Sequence, residues 1–122
     1  MIARRGGKPW FAIGASGGRK IFPAVLQIAS FLVDHGMSLA DAFHQPRIDA
    51  SGGERIAVDP RLPQEVKSAL SDKFPAHPAE LAVYPANFAC PSAVLNDLLT
   101  GERFGMSDVM SPWSGAAAEK EP

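Results

Sequence analysis

Trp10-Phe11-Ala12-Ile13-Gly14-Ala15-Ser16-Gly17-Gly18-Arg19-Lys20-Ile21 holds the change of period that decides the fold. Up to Gly14 the residues suit a short strand. From Ile21 onward Ile21, Val25, Ile28 and Leu32, with Ala24 and Phe31 beside them, recur at helical spacing. A strand, a glycine-rich turn and a helix are therefore predicted in that order. Pro23 falls in the first helical turn, where a missing N–H costs nothing, and Gly36 follows the last apolar residue as a C-terminal cap. The helix is predicted over 20–35.

Working outward, residues 2–4 and 10–14 pair as strands about Arg5-Gly6-Gly7-Lys8, a glycine pair suited to a tight hairpin. Ser38 is placed to cap a short helix through Leu39-Ala40-Asp41-Ala42-Phe43, which Pro46 prevents from continuing. Residues 47–51 and 54–58 flank Gly52-Gly53 as a second hairpin. Pro63, with Val66, Leu70 and Phe74 at i, i+4 and i+8, predicts a third helix that ends before Pro75. Residues 75–91 hold four prolines and read as a loop-rich connection with an edge strand at 81–84. A third hairpin joins 92–96 to 103–107 through Thr100-Gly101. The expected fold is α+β: one antiparallel sheet of hairpins covered by helices 20–35 and 63–74, as a single domain over 1–113 with a flexible tail at 114–122.

The 122 residues are 46% hydrophobic, enough for one packed core and too few for two domains. Twelve basic residues against thirteen acidic ones leave a net charge of -1, so no global field favours nucleic acid or an anionic membrane. Cys90 is the one cysteine and cannot close an intrachain disulfide; His35, His44 and His77 are scattered without zinc spacing. No metal or cofactor is expected. The apolar run 21–33 is interrupted by Pro23, Gln27 and Ser30 and is too short to span a bilayer. The first eight residues bring charge without an apolar stretch, so no signal peptide is expected, and nothing fixes the compartment.

A strand-to-helix turn rich in glycine points free N–H groups at its surroundings, and anions are the natural guests. A phosphate loop needs Gly-Lys-Ser/Thr, whereas Gly17-Gly18 runs into Arg19-Lys20-Ile21; a dinucleotide fingerprint needs other glycine spacing. Gly14-Ala15-Ser16-Gly17-Gly18 does fit Gly-x-Ser-x-Gly, which would make Ser16 a nucleophile, with Asp59 or Asp72 and then His77 in the order a serine hydrolase uses. Only a hairpin precedes Ser16, however, and His77 lies between prolines.

The chain resembles the gamma-glutamyltransferases, or glutathione hydrolases, whose small subunit has the N-terminal-nucleophile hydrolase fold. The resemblance rests on Gly7-Lys8-Pro9, Gly14-Ala15-Ser16-Gly17-Gly18-Arg19-Lys20-Ile21 and Ala24-Val25-Leu26-Gln27. It continues through Gly36-Met37-Ser38-Leu39-Ala40-Asp41-Ala42 and Gln45-Pro46-Arg47-Ile48-Asp49 to Thr100-Gly101-Glu102 and Ser107-Asp108. It implies part of a four-layer αββα sandwich, a gamma-glutamyl substrate, and backbone amides of Gly17 and Gly18 in the oxyanion hole, with Ser16 beside the substrate. Glycine suits that task because no Cβ obstructs the approach to the amides. From spacing alone, a turn built only for packing explains Gly17-Gly18 equally well.

Two departures qualify the resemblance. The family more often has proline where Ser16 stands, so an altered loop or an additional hydroxyl near the substrate is expected. The family's N-terminal threonine nucleophile and its substrate-binding serine pair have no counterpart here, since the one threonine, Thr100, lies in a turn. The chain is thus expected to be the C-terminal part of a small subunit, inactive alone, with the large subunit and the N-terminal part of the small subunit as partners. Self-association through an exposed sheet edge is also expected. A non-catalytic binding or assembly module of the same fold is the alternative.

Among the remaining candidates, Arg47 suits either a carboxylate ligand or a salt bridge that anchors its loop. Arg19 and Lys20 oppose the helix dipole unless an anion sits nearby. Cys90 lacks a basic neighbour in sequence and reads as an inert thiol. His35 and His44 suit helix C-terminal capping, and Trp113 suits packing of the chain end on the sheet.

Overall fold

The structure is a computed structural model that describes residues 1–80 and 87–117. Strand β1 (Ile2–Arg5) returns as β2 (Lys8–Ser16) through Gly6 and Gly7, at φ 57° and 78°. Two successive left-handed residues match the twist of the flanking strands, which is why the glycine pair makes a hairpin. The register slips between Ala3↔Phe11 and Arg4↔Pro9, leaving Trp10 as an extra residue in β2. Its ring meets Phe11 edge-on at 5.0 Å and lies under the Arg5 guanidinium at 3.8 Å.

Helix α1 (Ile21–Val33) follows a short 3-10 turn, Gly18–Lys20, and buries Ala24, Ile28, Ala29 and Leu32. Its end closes as the sequence predicts: Gly36 takes φ 62° and the Met37 N–H donates to the Phe31 carbonyl at 3.0 Å. Helix α2 (Leu39–His44) starts at Ser38, whose Oγ accepts from the Asp41 N–H at 3.1 Å. At its other end Nδ1 of His44 lies 2.7 Å from the Ala40 carbonyl, the capping contact expected of that residue.

Strands β3 (Ile48–Asp49) and β4 (Ile56–Val58) form the second hairpin, shorter than the sequence suggests. Helix α3 (Gln64–Ser71) leads to β5 (Ala76–Pro78), then β6 (Cys90–Asn96) and β7 (Arg103–Ser107) close the third hairpin. The strands form two sheets. One is antiparallel, in the order β1-β2-β6-β7; the other has three strands, β3-β4-β5, with β4 and β5 parallel.

The core lies between the four-stranded sheet and helices α1 and α2, where Phe11, Ile13, Ile28, Leu32, Leu39, Phe43 and Ala93 pack together. The opposite face of that sheet is open: Ile2 and Val94 stand 77% and 60% exposed. Pro91 is tolerated inside β6 because the pairing with β7 begins only at Ser92↔Ser107, one residue on, so its missing N–H has no ladder partner there.

The third helix departs from expectation. It carries no buried residue, and Val66 and Phe74 remain exposed, so it does not cover the four-stranded sheet. It serves instead as the crossover that parallel strands β4 and β5 require. β5 falls in the stretch read as a proline-rich loop, and the edge strand expected at 81–84 lies outside the described residues. The small sheet is fastened to α1 by Gln27, whose Oε1 accepts from the Ile48 N–H at 2.9 Å while Nε2 donates to the Ile48 carbonyl at 2.7 Å. One side chain thus acts as a strand partner.

The Trp113 ring is 74% exposed rather than covered by the sheet, and Ser114 Oγ donates to the Asp108 carbonyl at 3.1 Å. No described helix is long and apolar enough to cross a membrane.

Candidate functional site

The strand-to-helix turn forms where β2 ends. Ser16 is the last residue of β2, exposed, and pairs in register with Cys90 at the start of β6. One step further, Gly17 takes φ 137° and ψ 22°, and Gly18 takes φ 59°. Each glycine has its own reason. A Cβ added to Gly17 would lie 2.8 Å from Ala89 Cβ and 2.9 Å from its Cα, too close for any side chain. At Gly18 nothing lies within 4 Å of an added Cβ, so that position requires glycine through its left-handed φ alone.

Ala89 is buried and itself left-handed, at φ 62°. Two strand ends therefore turn in the left-handed region side by side, and the close approach sets the path of the turn. The carbonyls of Gly17 and Gly18 are engaged, accepting from the N–H groups of Lys20, at 3.3 Å, and Ile21. Among the hydrogen bonds of the described turns and loops, neither glycine N–H is a donor. Both residues are exposed. Two exposed glycines at the foot of a helix, with N–H groups not engaged in these turns, suit a developing negative charge. Arg19 and Lys20 occupy the 3-10 turn between these amides and α1.

The serine-hydrolase constellation is not assembled. His77 sits in β5, paired with Ala57 in the second sheet, while Ser16 belongs to the first. Asp59 is committed elsewhere: its carboxylate accepts from Arg61 Nη2 at 2.6 Å, from Nε at 3.0 Å and from the Arg61 N–H at 2.9 Å. Burial alone would raise the Asp59 pKa, but the Arg61 hydrogen bonds and charge outweigh it and hold the carboxyl below its ordinary value. Asp72 follows α3 and is exposed.

Arg47 resolves in favour of the anchoring role. Its Nη2 donates to Asp108 Oδ1 at 3.2 Å, with both side chains 6% exposed. Nη1 of the same guanidinium is buried without a hydrogen-bond partner among the described residues. Burial lowers the Arg47 pKa from its ordinary value, and the Asp108 charge and hydrogen bond oppose that shift. Sequence reasoning paired neither Arg47 with Asp108 nor Gly17 with Ala89; each contact joins remote segments, and no local pattern announces it. Cys90 is partly exposed, and no group of three or more His, Cys, Asp or Glu among the described residues could hold a metal ion.

A family profile described as Gamma-glutamyltranspeptidase matches residues 1–96. The chain is 39% identical over 70 residues to the acylase ACY 1 proenzyme of Pseudomonas sp. (strain SE83), covering 57% of this chain and 12% of that protein. It is 30% identical over 77 residues to the glutathione hydrolase proenzyme of Bacillus subtilis (strain 168), covering 61% of this chain and 13% of that one. The chain thus spans about an eighth of the length of these curated relatives. Among solved structures, cephalosporin acylase from Bacillus halodurans superposes with a TM-score of 0.81 at 20% identity, over 96% of this chain and 22% of that one. The fold is accordingly that of part of an N-terminal-nucleophile hydrolase, as the sequence implies.

Proposed function

Because the chain belongs to the gamma-glutamyltranspeptidase family, we propose that it is the C-terminal part of the catalytic portion of an acyl-transfer enzyme that hydrolyses or transfers gamma-glutamyl groups. In this reading Gly17 and Gly18 present their amides to the oxyanion, and Ser16 lines the substrate side of the same turn. The observation that carries it is the turn itself: exposed glycines whose carbonyls are engaged while neither N–H donates to a described turn or loop.

The chemistry follows from that arrangement. A threonine hydroxyl from the upstream part attacks the acyl carbonyl, and the carbonyl oxygen takes up the negative charge. Amides held by the fold meet that charge without reorganising, and removing one such donor costs about 3 kcal/mol of transition-state stabilisation. Collapse of the intermediate expels the amine as the acyl group passes to threonine; water or a second amine then releases it. The isolated chain supplies no nucleophile in this scheme and is inactive. The open sheet face supports a partner layer from the upstream part, and the outer strands β1 and β7 support edge pairing between isolated copies.

The test mixes this chain with a separately produced upstream part carrying the processed threonine and follows release from a gamma-glutamyl anilide. A Gly18 variant with its N–H replaced by an ester oxygen serves as control, because that N–H supports no described turn. Activity in the mixture, reduced at least a hundredfold in the ester variant, is the expected result. Silence with both parts folded and bound to one another would shift the reading to a non-catalytic assembly module. The relationship to an acylase favours a second substrate reading, in which the acyl group is other than gamma-glutamyl; anilides of other acyl groups in the same assay separate the two.

A further inference from the structure

At the far end of β2 from the glycine turn, the sheet and the α1–α2 connection border a half-open cavity of about 740 Å³. Its size falls within the range of small-molecule sites. Most of the length of β2 separates Trp10, in its wall, from Gly17, roughly 20 Å at about 3.3 Å per residue. The interior is apolar, built from Leu32, Met37, Leu39, Leu95, Phe104 and Met106. Two methionines give such a lining the flexibility to fit an irregular apolar guest.

The polar groups at its rim are distinguished by whether they are already engaged. Ser38 Oγ donates to Asp41 Oδ2 at 2.6 Å, and Asp97 Oδ1 accepts the N–H groups of Leu99 and Thr100 at 2.7 and 3.2 Å. Arg5 differs. Its guanidinium stacks on Trp10 at 3.8 Å, and among the described residues it forms neither ion pair nor hydrogen bond. The cavity therefore offers a stacked, uncommitted cation above an apolar interior.

We propose that this cavity binds an amphipathic carboxylate of the medium- to long-chain fatty-acid type, with its carboxylate at Arg5 and its chain among Leu32, Met37, Leu95 and Met106. Charge complementarity selects the head group: Arg5 is the one cation in the lining and has no hydrogen-bond or ion-pair partner among the described residues, while the Asp97 carboxylate is turned through Oδ1 to the Leu99 and Thr100 N–H groups. Burial selects the tail, since the interior offers no polar partner to anything else. The cavity lies apart from the glycine turn, so binding there is independent of acyl transfer.

The experiment titrates the 122-residue chain, carrying Trp113→Phe so that Trp10 alone reports, with hexanoate, octanoate and decanoate below their micellar concentrations. Saturable one-to-one quenching is expected, with affinity rising about fourfold per added methylene. Arg5→Gln weakens decanoate roughly threefold to fivefold and leaves 1-decanol unchanged. Ala40→Phe fills the exposed mouth without adding a second tryptophan and lowers decanoate affinity at least tenfold with Tm retained. Decanoate binding that is indifferent to both substitutions, or absent from the folded parent chain, overturns the proposal, as does 1-decanol binding as tightly as decanoate.

Discussion

Arg47 and Asp108 form a buried ion pair at 3.2 Å that ties the segment after α2 to the residue just beyond β7. Both charges have left water, so the pair stabilises the fold only while it is complete. Asp108→Ala strands the guanidinium, whose Nη1 already lacks a partner. A loss of about 3 to 5 kcal/mol is expected by urea denaturation. Replacing both residues by Leu should cost less than Asp108→Ala alone, because no buried charge then remains.

The Gly17–Ala89 contact gives a graded series. Gly18→Ala meets only the left-handed penalty and should cost about 1 to 2 kcal/mol. Gly17→Ala adds a 2.8 Å clash and should cost more. In the Gly17→Ala background, Ala89→Gly removes the Cβ clash but leaves the 2.9 Å approach to the Ala89 Cα, so recovery is partial. Urea midpoints of the two single variants and the double substitution check the order.

Asp59 makes the protein sensitive to acid. Its folded pKa lies below the ordinary value, so its contribution is present above the unfolded carboxyl pKa of about 3.9 and is lost as pH falls through the lower folded value. Urea midpoints measured downward from pH 5 should therefore decline below about pH 4. Asp59→Asn should flatten that decline while lowering stability at pH 7. An unchanged acid slope in Asp59→Asn would refute the assignment.

Gln27 is expected to matter beyond its place on a helix. Gln27→Ala leaves the Ile48 N–H and carbonyl without their side-chain partner and should cost about 1 to 3 kcal/mol. Gln27→Glu keeps the acceptor for the Ile48 N–H but sets a carboxylate against its carbonyl, so it should recover little. Amide exchange at Ile48 provides the local readout.

What could be read from the sequence follows the range of the interactions concerned. Gly6-Gly7, the Ile21 to Leu32 periodicity, Gly36 and Ser38 each act within a few residues, and each marks the element it was expected to mark. Strand β5 was hidden because Pro75 and Pro78 mimic a loop, while its partner β4 lies on the other side of α3. α3 itself has an apolar face that reads as sheet-covering, yet Val66 and Phe74 stay exposed and Leu70 is only half-buried. The glycine turn was found by its spacing and by family resemblance. Its steric cause, Ala89, comes from the far side of the chain, where local pattern carries no information.

That last contact also orders events in time. The β1–β2 hairpin and α1 join near neighbours and can form early, but the turn between them takes its final path only when Ala89 arrives with β6. The close approach at Gly17 is thus completed by a remote segment rather than by the one that contains the glycine, and a chain stalled before the C-terminal hairpin docks would have the glycines without that contact.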